Sequence, residues 1–219
     1  MRFEGFGDGL VDFFEGLEAD NSKAYWSDHL AHYREQVRGP MEALLAELEP
    51  EFTGPGMAGK VFRPHRDVRF SADRSPYKTH CGAVIERGRG GGAYYVEVSA
   101  AGMLVAGGCF HAESDQLARF RGAVDAAPHG ERLRALLAEL TGAGFRISGD
   151  VLRTRPRGVP ADHPRLELLR HRTLHAVRDW PPDEALHDRR CLDRVRRSWT
   201  ALRGLTEWCA EHIGPSAKR

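Results

Sequence analysis

The chain has 219 residues, with 32 Lys plus Arg against 31 Asp plus Glu and a formal charge of +1. At 41% hydrophobic and 29% charged it is too apolar for a disordered chain, and it is long enough to bury the core of one domain. Its longest nearly uninterrupted apolar stretch, residues 100–110, is about half of the roughly 20 residues a membrane helix needs and is broken by Gly102, Gly107 and Gly108, so no membrane partner is expected.

The first 20 residues carry six acidic side chains against Arg2 alone, the reverse of a secretory leader, and the expected compartment is the cytoplasm. Four cysteines without a CxxC pair are expected to be reduced thiols. Only four of the 32 basic residues are Lys, a skew that makes any one Arg weaker evidence of function. Residues 1–59 hold 4 basic and 12 acidic side chains, whereas 60–78 hold 6 and 2 and 151–219 hold 15 and 9, which is a bipolar charge distribution.

In chain order, the first third predicts helices. Asp8 is placed to cap a first one, which carries Leu10, Phe13, Phe14 and Leu17 at helical spacing. Asn21 or Ser22 caps a second, with Trp26, Leu30, Tyr33 and Val37 along one face. Gly39 and Pro40 end that helix and open a third bearing Met41, Leu44, Leu45 and Leu48; residues 53–59 read as a glycine-rich loop. Four β-prone runs, 61–71, 81–87, 93–99 and 103–111, predict an antiparallel meander. No strand-helix-strand alternation with a glycine fingerprint occurs, which excludes a dinucleotide-binding fold. Helices return from Ser114 or Asp115 and from Pro128. A short β patch covers 145–147 and 151–153, a brief helix carries Leu166 and Leu169, and 183–213 reads as helical. The expectation is one α+β domain over 1–219: helical over 8–49, an antiparallel sheet over 60–111, and helices with short strands over 114–213.

The chemistry concentrates in residues 60–78. If 61–71 is extended, Arg63, His65, Asp67, Arg69 and Ser71 share one face, and Phe62, Arg66, Val68 and Phe70 the other. The second face would meet the core, so Arg66 requires a carboxylate, and Asp73 is the nearest. On the first face, Arg63 and Arg69, with Lys78, suit capture of a small phosphate or carboxylate, while His65 oriented by Asp67 would transfer protons. Pro64 argues for an edge strand that a ligand can approach. The competing reading is a brace in which Arg66, Asp73 and Tyr77 hold the turn, and the chain works through protein partners.

A second basic cluster, Arg153, Arg155, Arg157, His163 and Arg165, would either close over the first, bringing Arg155 and Arg157 to the same anion, or stay solvated. It lacks interleaved aromatics, which disfavours nucleic acid as a partner. His171 and His175 have a metal-ligand spacing only on a helix, and their run reads equally as a strand. His80, Cys81, Cys109 and His111 read as ordinary sheet side chains, so no metal or cofactor is expected. Neither GxSxG nor GxxxxGK[ST] occurs, which leaves open whether the chain is an enzyme.

The run Phe-Arg-x-x-Arg-Asp-x-Arg-Phe-Ser-x-Asp-x-Ser-Pro-Tyr-Lys, residues 62–78, resembles the signature of domain-of-unknown-function family 2461, uncharacterised proteins of bacteria and fungi. Further points of likeness are Phe3, Phe6, Asn21, Trp26, Gly107-Gly108, residues 152–158 and His163-Pro164, which together span nearly the whole chain. Pro64 stands where the family pattern has an aliphatic residue, and Arg74 where Lys is common. The resemblance implies a single full-length domain and singles out 62–78, without supplying an activity.

Overall fold

The periodic apolar residues of the first third fold as helices. The computed structural model describes residues 2–54, 56–69, 73–86 and 91–217. Helix α1 (Leu10–Ala19) buries Leu10, Phe13, Phe14 and Leu17. Asp8 does not cap it: Gly9 occupies the cap position, and the first turn is set by backbone bonds from Leu10 to Gly7 and from Phe13 to Gly9. Helix α2 (Lys23–Tyr33) is capped by Ser22, whose hydroxyl accepts the Tyr25 N–H at 3.1 Å.

Gly39-Pro40 does not separate two helices. A π turn, Arg34–Arg38, joins α2 to α3 (Gly39–Phe52), and the Gly39 N–H reaches the Arg34 carbonyl five residues back. Pro40 has no N–H to give and would press on the carbonyl four residues earlier; the widened turn absorbs both problems without a break.

Six strands follow: β1 (Ala58–Val61), β2 (His80–Glu86), β3 (Ala93–Ser99), β4 (Gly102–Cys109), β5 (Arg146–Ser148) and β6 (Leu174–Trp180). They form one antiparallel sheet in the order β1-β2-β3-β4-β6-β5. Between β4 and β5 lie α4 (Ser114–Asp125) and α5 (Ala127–Gly142). Helix α6 (Leu166–Leu169) precedes β6, and α7 (Arg190–His212) follows a 3-10 turn, Glu184–His187. Helices and an antiparallel sheet make this an α+β fold. Among the described residues no helix is long and apolar enough to cross a membrane.

Two strand expectations need correction. The run 61–71 is not a strand over its described part, 61–69, because pairing starts earlier, at Ala58, and stops at Val61. The Gly59 N–H of β1 is fixed by the Glu49 carboxylate of α3 at 2.9 Å, and part of the supposed glycine-rich loop joins the sheet. Likewise 151–153 forms only an isolated bridge, Val151 to His171.

The core lies on one face of the sheet, where Cys81, Ala83 and Ile85 of β2, Tyr94, Val96 and Val98 of β3, and Met103 and Val105 of β4 meet α3 and α7. Trp199 of α7 is fully buried there, and its indole N–H donates to the Tyr95 carbonyl at 3.1 Å. All four cysteines are buried free thiols. The alternate residues, His80, Gly82 and Val84 of β2 and Tyr95 and Glu97 of β3, point to the opposite face.

Candidate functional site

The β1–β2 connection is a two-limbed loop at the β1 edge, with Phe62 toward Tyr95 of the opposite face and Tyr77 in the core. Its limbs pair around a bridge between His65 and Tyr77: Arg66 N–H donates to the Pro76 carbonyl and Lys78 N–H to the Pro64 carbonyl, both at 2.8 Å. This local pairing preserves the expected alternation outside the sheet. Arg63, His65, Asp67 and Arg69 are exposed, while Phe62, Arg66 and Val68 are half-buried; Phe70 and Ser71 lie outside the described residues.

Arg66 does not enter the core, since its side chain keeps 33% exposure, but it does pair with Asp73. Asp73 also accepts the Ser75 hydroxyl at 2.6 Å and the Ser75 N–H at 2.9 Å. These bonds, the Ser75 ones first and then Arg66, hold its carboxyl well below the usual range. Asp73 is therefore the shared acceptor for Arg66 on one limb and Ser75 on the other.

Asp67 does not orient His65. The Arg69 guanidinium takes the Asp67 carboxylate in a fork, Nε to Oδ1 at 2.9 Å and Nη2 to Oδ2 at 2.7 Å, and lowers its pKa to about 2. Asp67 is thus committed as an anion, and Arg69 is committed to it. The His65 ring lies instead against Tyr77 and Trp26, at 5.2 and 6.3 Å between centroids. A proton-transfer pair made of His65 and Asp67 is not formed.

The buried Tyr77 fastens the loop to α2. Asn21 brackets its backbone, donating from Nδ2 to the Tyr77 carbonyl at 3.1 Å and accepting the Tyr77 N–H on Oδ1 at 3.0 Å. The Tyr77 ring stacks on Trp26, 4.4 Å apart and 10° from parallel. In the sequence Asn21 or Ser22 read as the α2 cap, with Asn21 also a point of likeness to the family; Ser22 takes the cap and frees Asn21 for the loop.

Next to this anchor, Lys78 is half-buried with its ammonium 5.0 Å from the centre of the Phe62 ring. Burial pushes its pKa down, and the neighbouring Arg63 charge adds to the effect. Neither Lys78 nor Arg63 has an ion-pair partner among the described residues. Lys60, also near the Phe62 ring at 5.4 Å, is neutralised by Glu86 at 2.5 Å.

Four residues that the sequence reading left out of the site, His80, Gly82, Tyr95 and Glu97, lie together on the adjoining strands, and Lys78 acts on His80. His80 Nε2 is 3.9 Å from Glu97, and its pKa is lowered by burial, with the Lys78 and Arg66 charges acting in the same direction against Glu97. Tyr95 donates its hydroxyl to Glu97. Gly82 makes room for that phenol, because a Cβ there would lie 2.6 Å from the Tyr95 oxygen. The signal in the sequence was the period-two pattern of β2 and β3, which puts His80, Gly82, Tyr95 and Glu97 on one face once their register is known.

The second basic cluster does not close over this site. The motif loop leaves the β1 edge, whereas 149–165 follows β5 at the other edge, about 24 Å away at roughly 4.8 Å per strand. Register also sends it to the opposite end of the strands, since β5 runs from Val177 toward His175 of β6. Arg153 and Arg157 are exposed, and Arg155 caps its own loop by donating to the Val159 carbonyl at 2.9 Å. Arg165 is buried and structural: it donates to the carbonyls of Val124 and Asp125 at the end of α4 and to Glu131. His163 pairs with Asp125 at 3.0 Å.

His175 lies on β6, a strand, with its ring stacked on Phe110 at 4.6 Å. No group of three or more His, Cys, Asp or Glu able to hold a metal ion occurs among the described residues. The model of a family described as conserved hypothetical proteins, DUF2461, matches residues 9–208. No curated protein and no solved structure matches the chain.

Proposed function

Because the chain belongs to the conserved hypothetical family DUF2461, whose description carries no activity, we propose its function from the motif loop alone: it binds a small anion, a phosphate or a carboxylate, between Arg63 and Lys78. The observation that carries this reading is Lys78, a half-buried ammonium beside a second cation with no carboxylate partner among the described residues. Such a pair destabilises the empty protein and is relieved when an anion sits between the charges. Arg69, committed to Asp67, orders the loop in this reading and leaves the ligand to Arg63 and Lys78. His80, neutral near pH 7 because its pKa is lowered, is the imidazole beside the anion, in place of His65.

The test is thermal unfolding of the parent, Lys78→Met and Arg63→Gln with inorganic phosphate and with succinate. A ligand at about 100 times its dissociation constant raises stability by roughly 2.7 kcal/mol. The parent is expected to show that rise with one of the two. Lys78→Met is expected to lose it while melting at or above the ligand-free parent, the mark of a residue kept for binding at the expense of stability. A Lys78→Met chain that is less stable and binds as before would refute the site and favour the brace.

A further inference from the structure

A second cleft opens on the helical side of the sheet, between the end of β6, the first turns of α7 and the α5–β5 turn. It encloses about 320 Å³ and is lined by Phe145, Arg178, Trp180, Arg194, Arg197 and Ser198, among others. That volume sits at the low end of the roughly 300–1,000 Å³ typical of small-ligand sites.

Its chemistry is one-sided. The Trp180 ring carries two guanidinium groups, Arg178 at 5.0 Å and Arg194 at 5.1 Å from its centre. The indole therefore orients both guanidinium planes; Arg194 gives both Nη groups to Asp183, while Arg178 spends a single N–H on the Ala143 carbonyl. Arg194 is held by Asp183 at 2.8 Å, and Arg178 donates to the Ala143 carbonyl at 3.2 Å. Arg178 and Arg197 have no carboxylate partner among the described residues; the neighbouring Asp179 is taken by Arg146 at 2.5 Å. Three guanidinium groups thus share one carboxylate, an excess of two positive charges in a recess whose wall includes the buried Phe145 ring.

We propose that this cleft is a binding site for a dianionic phosphoryl group, free or as the head of a small phosphomonoester. At neutral pH such a group carries about −1.5 to −2 charge, which matches the excess, and its oxygens accept forked N–H donors. Arg178 and Arg197 supply the donors, while Arg194, its charge met by Asp183, holds the Trp180 ring in place. Phe145 leaves an apolar wall for a short carbon body.

The experiment is calorimetric titration of the full chain at low salt with inorganic phosphate and with glycerol 3-phosphate, in the parent, Arg178→Gln, Arg197→Gln and Lys78→Met. Acrylamide quenching of tryptophan fluorescence provides a local readout, because Trp180 is half-buried while Trp26, Trp199 and Trp208 are buried. Saturable binding that protects Trp180, persists in Lys78→Met and weakens about tenfold or more in each Arg variant at unchanged melting temperature is expected. Tighter binding of the ester than of phosphate identifies a phosphomonoester, and equal affinity identifies the free ion. Binding that survives both Arg replacements, or absence of binding that persists in Lys78→Met, overturns the proposal. Loss confined to Lys78→Met assigns the anion to the motif loop instead, so the two sites fail separately.

Discussion

Replacing Asn21 by Ala tests how the motif loop is held. Asn21 makes two bonds, at 3.1 and 3.0 Å, to both backbone groups of the buried Tyr77. Each such bond contributes about 1 kcal/mol net, and stranding a buried peptide group raises the cost, so the loss amounts to about 2–3 kcal/mol. For a chain of this size roughly 2–4 °C accompanies each kcal/mol, and the melting temperature should fall by about 4–12 °C. Ser22→Ala is the control. It removes the α2 cap bond at 3.1 Å, worth about 1 kcal/mol, and leaves the loop untouched. Thermal unfolding by circular dichroism, paired with anion titration, separates the two. Asn21→Ala should lose more stability than Ser22→Ala and should also weaken anion binding at Lys78. Equal melting shifts with equal binding would show that the bracket does not position the loop, and the reasoning would fail.

Gly82→Ala drives a methyl to 2.6 Å from the Tyr95 oxygen; it should cost about 1–3 kcal/mol, and Tyr95→Phe in the same chain should recover part of that in denaturant titration. Arg165→Ala strands two α4 carbonyls, leaving Glu131 to Arg134, and should lower stability by about 2–3 kcal/mol with no change in anion affinity at either site; an affinity change would return the second cluster to function. Glu47, bound by Arg189 at 2.9 Å and by the Phe3 N–H at 2.6 Å, has its pKa lowered from 4.5 to about 2. Its folded pKa is the lower one, so its contribution is complete above about pH 4.5 and fades as pH falls toward 2. The stability gap between the parent and Glu47→Gln should therefore be full at pH 7 and shrink steadily between pH 4.5 and 3, whereas a gap independent of pH would contradict it.

Much of this architecture was readable because it rests on periodicity. Leu10, Phe13, Phe14 and Leu17 announce α1, and the alternation of Tyr94, Val96 and Val98 with Tyr95 and Glu97 announces β3. Residues 61–71 misled for an instructive reason: two loop limbs that pair with each other alternate exposure as a sheet strand does, so the pattern reports pairing without naming the partner. The Arg66–Asp73 pair followed from charge balance, whereas the Asp67–Arg69 fork did not, because sharing a face left Asp67 equally placed for His65 on its other side. Nothing in the spacing of Arg155 and Arg157 tells which sheet edge they reach; that was decided by where β5 pairs. His80 and Glu97 stayed hidden until the register of β2 on β3 made them diagonal neighbours.

The helical run from Lys23 through the π turn to Phe52 works as a caliper. At one end Asn21 and Trp26 grip Tyr77 near the close of the motif loop, and at the other Glu49 pins Gly59 just before its start. The jaws therefore share one shaft, and their phase is set by residue count. One residue more or less along it would swing one jaw about 100° relative to the other, taking the loop with it. The π turn is where the shaft carries its extra residue, so the register that accommodates Pro40 also sets the phase between the Tyr77 and Gly59 grips.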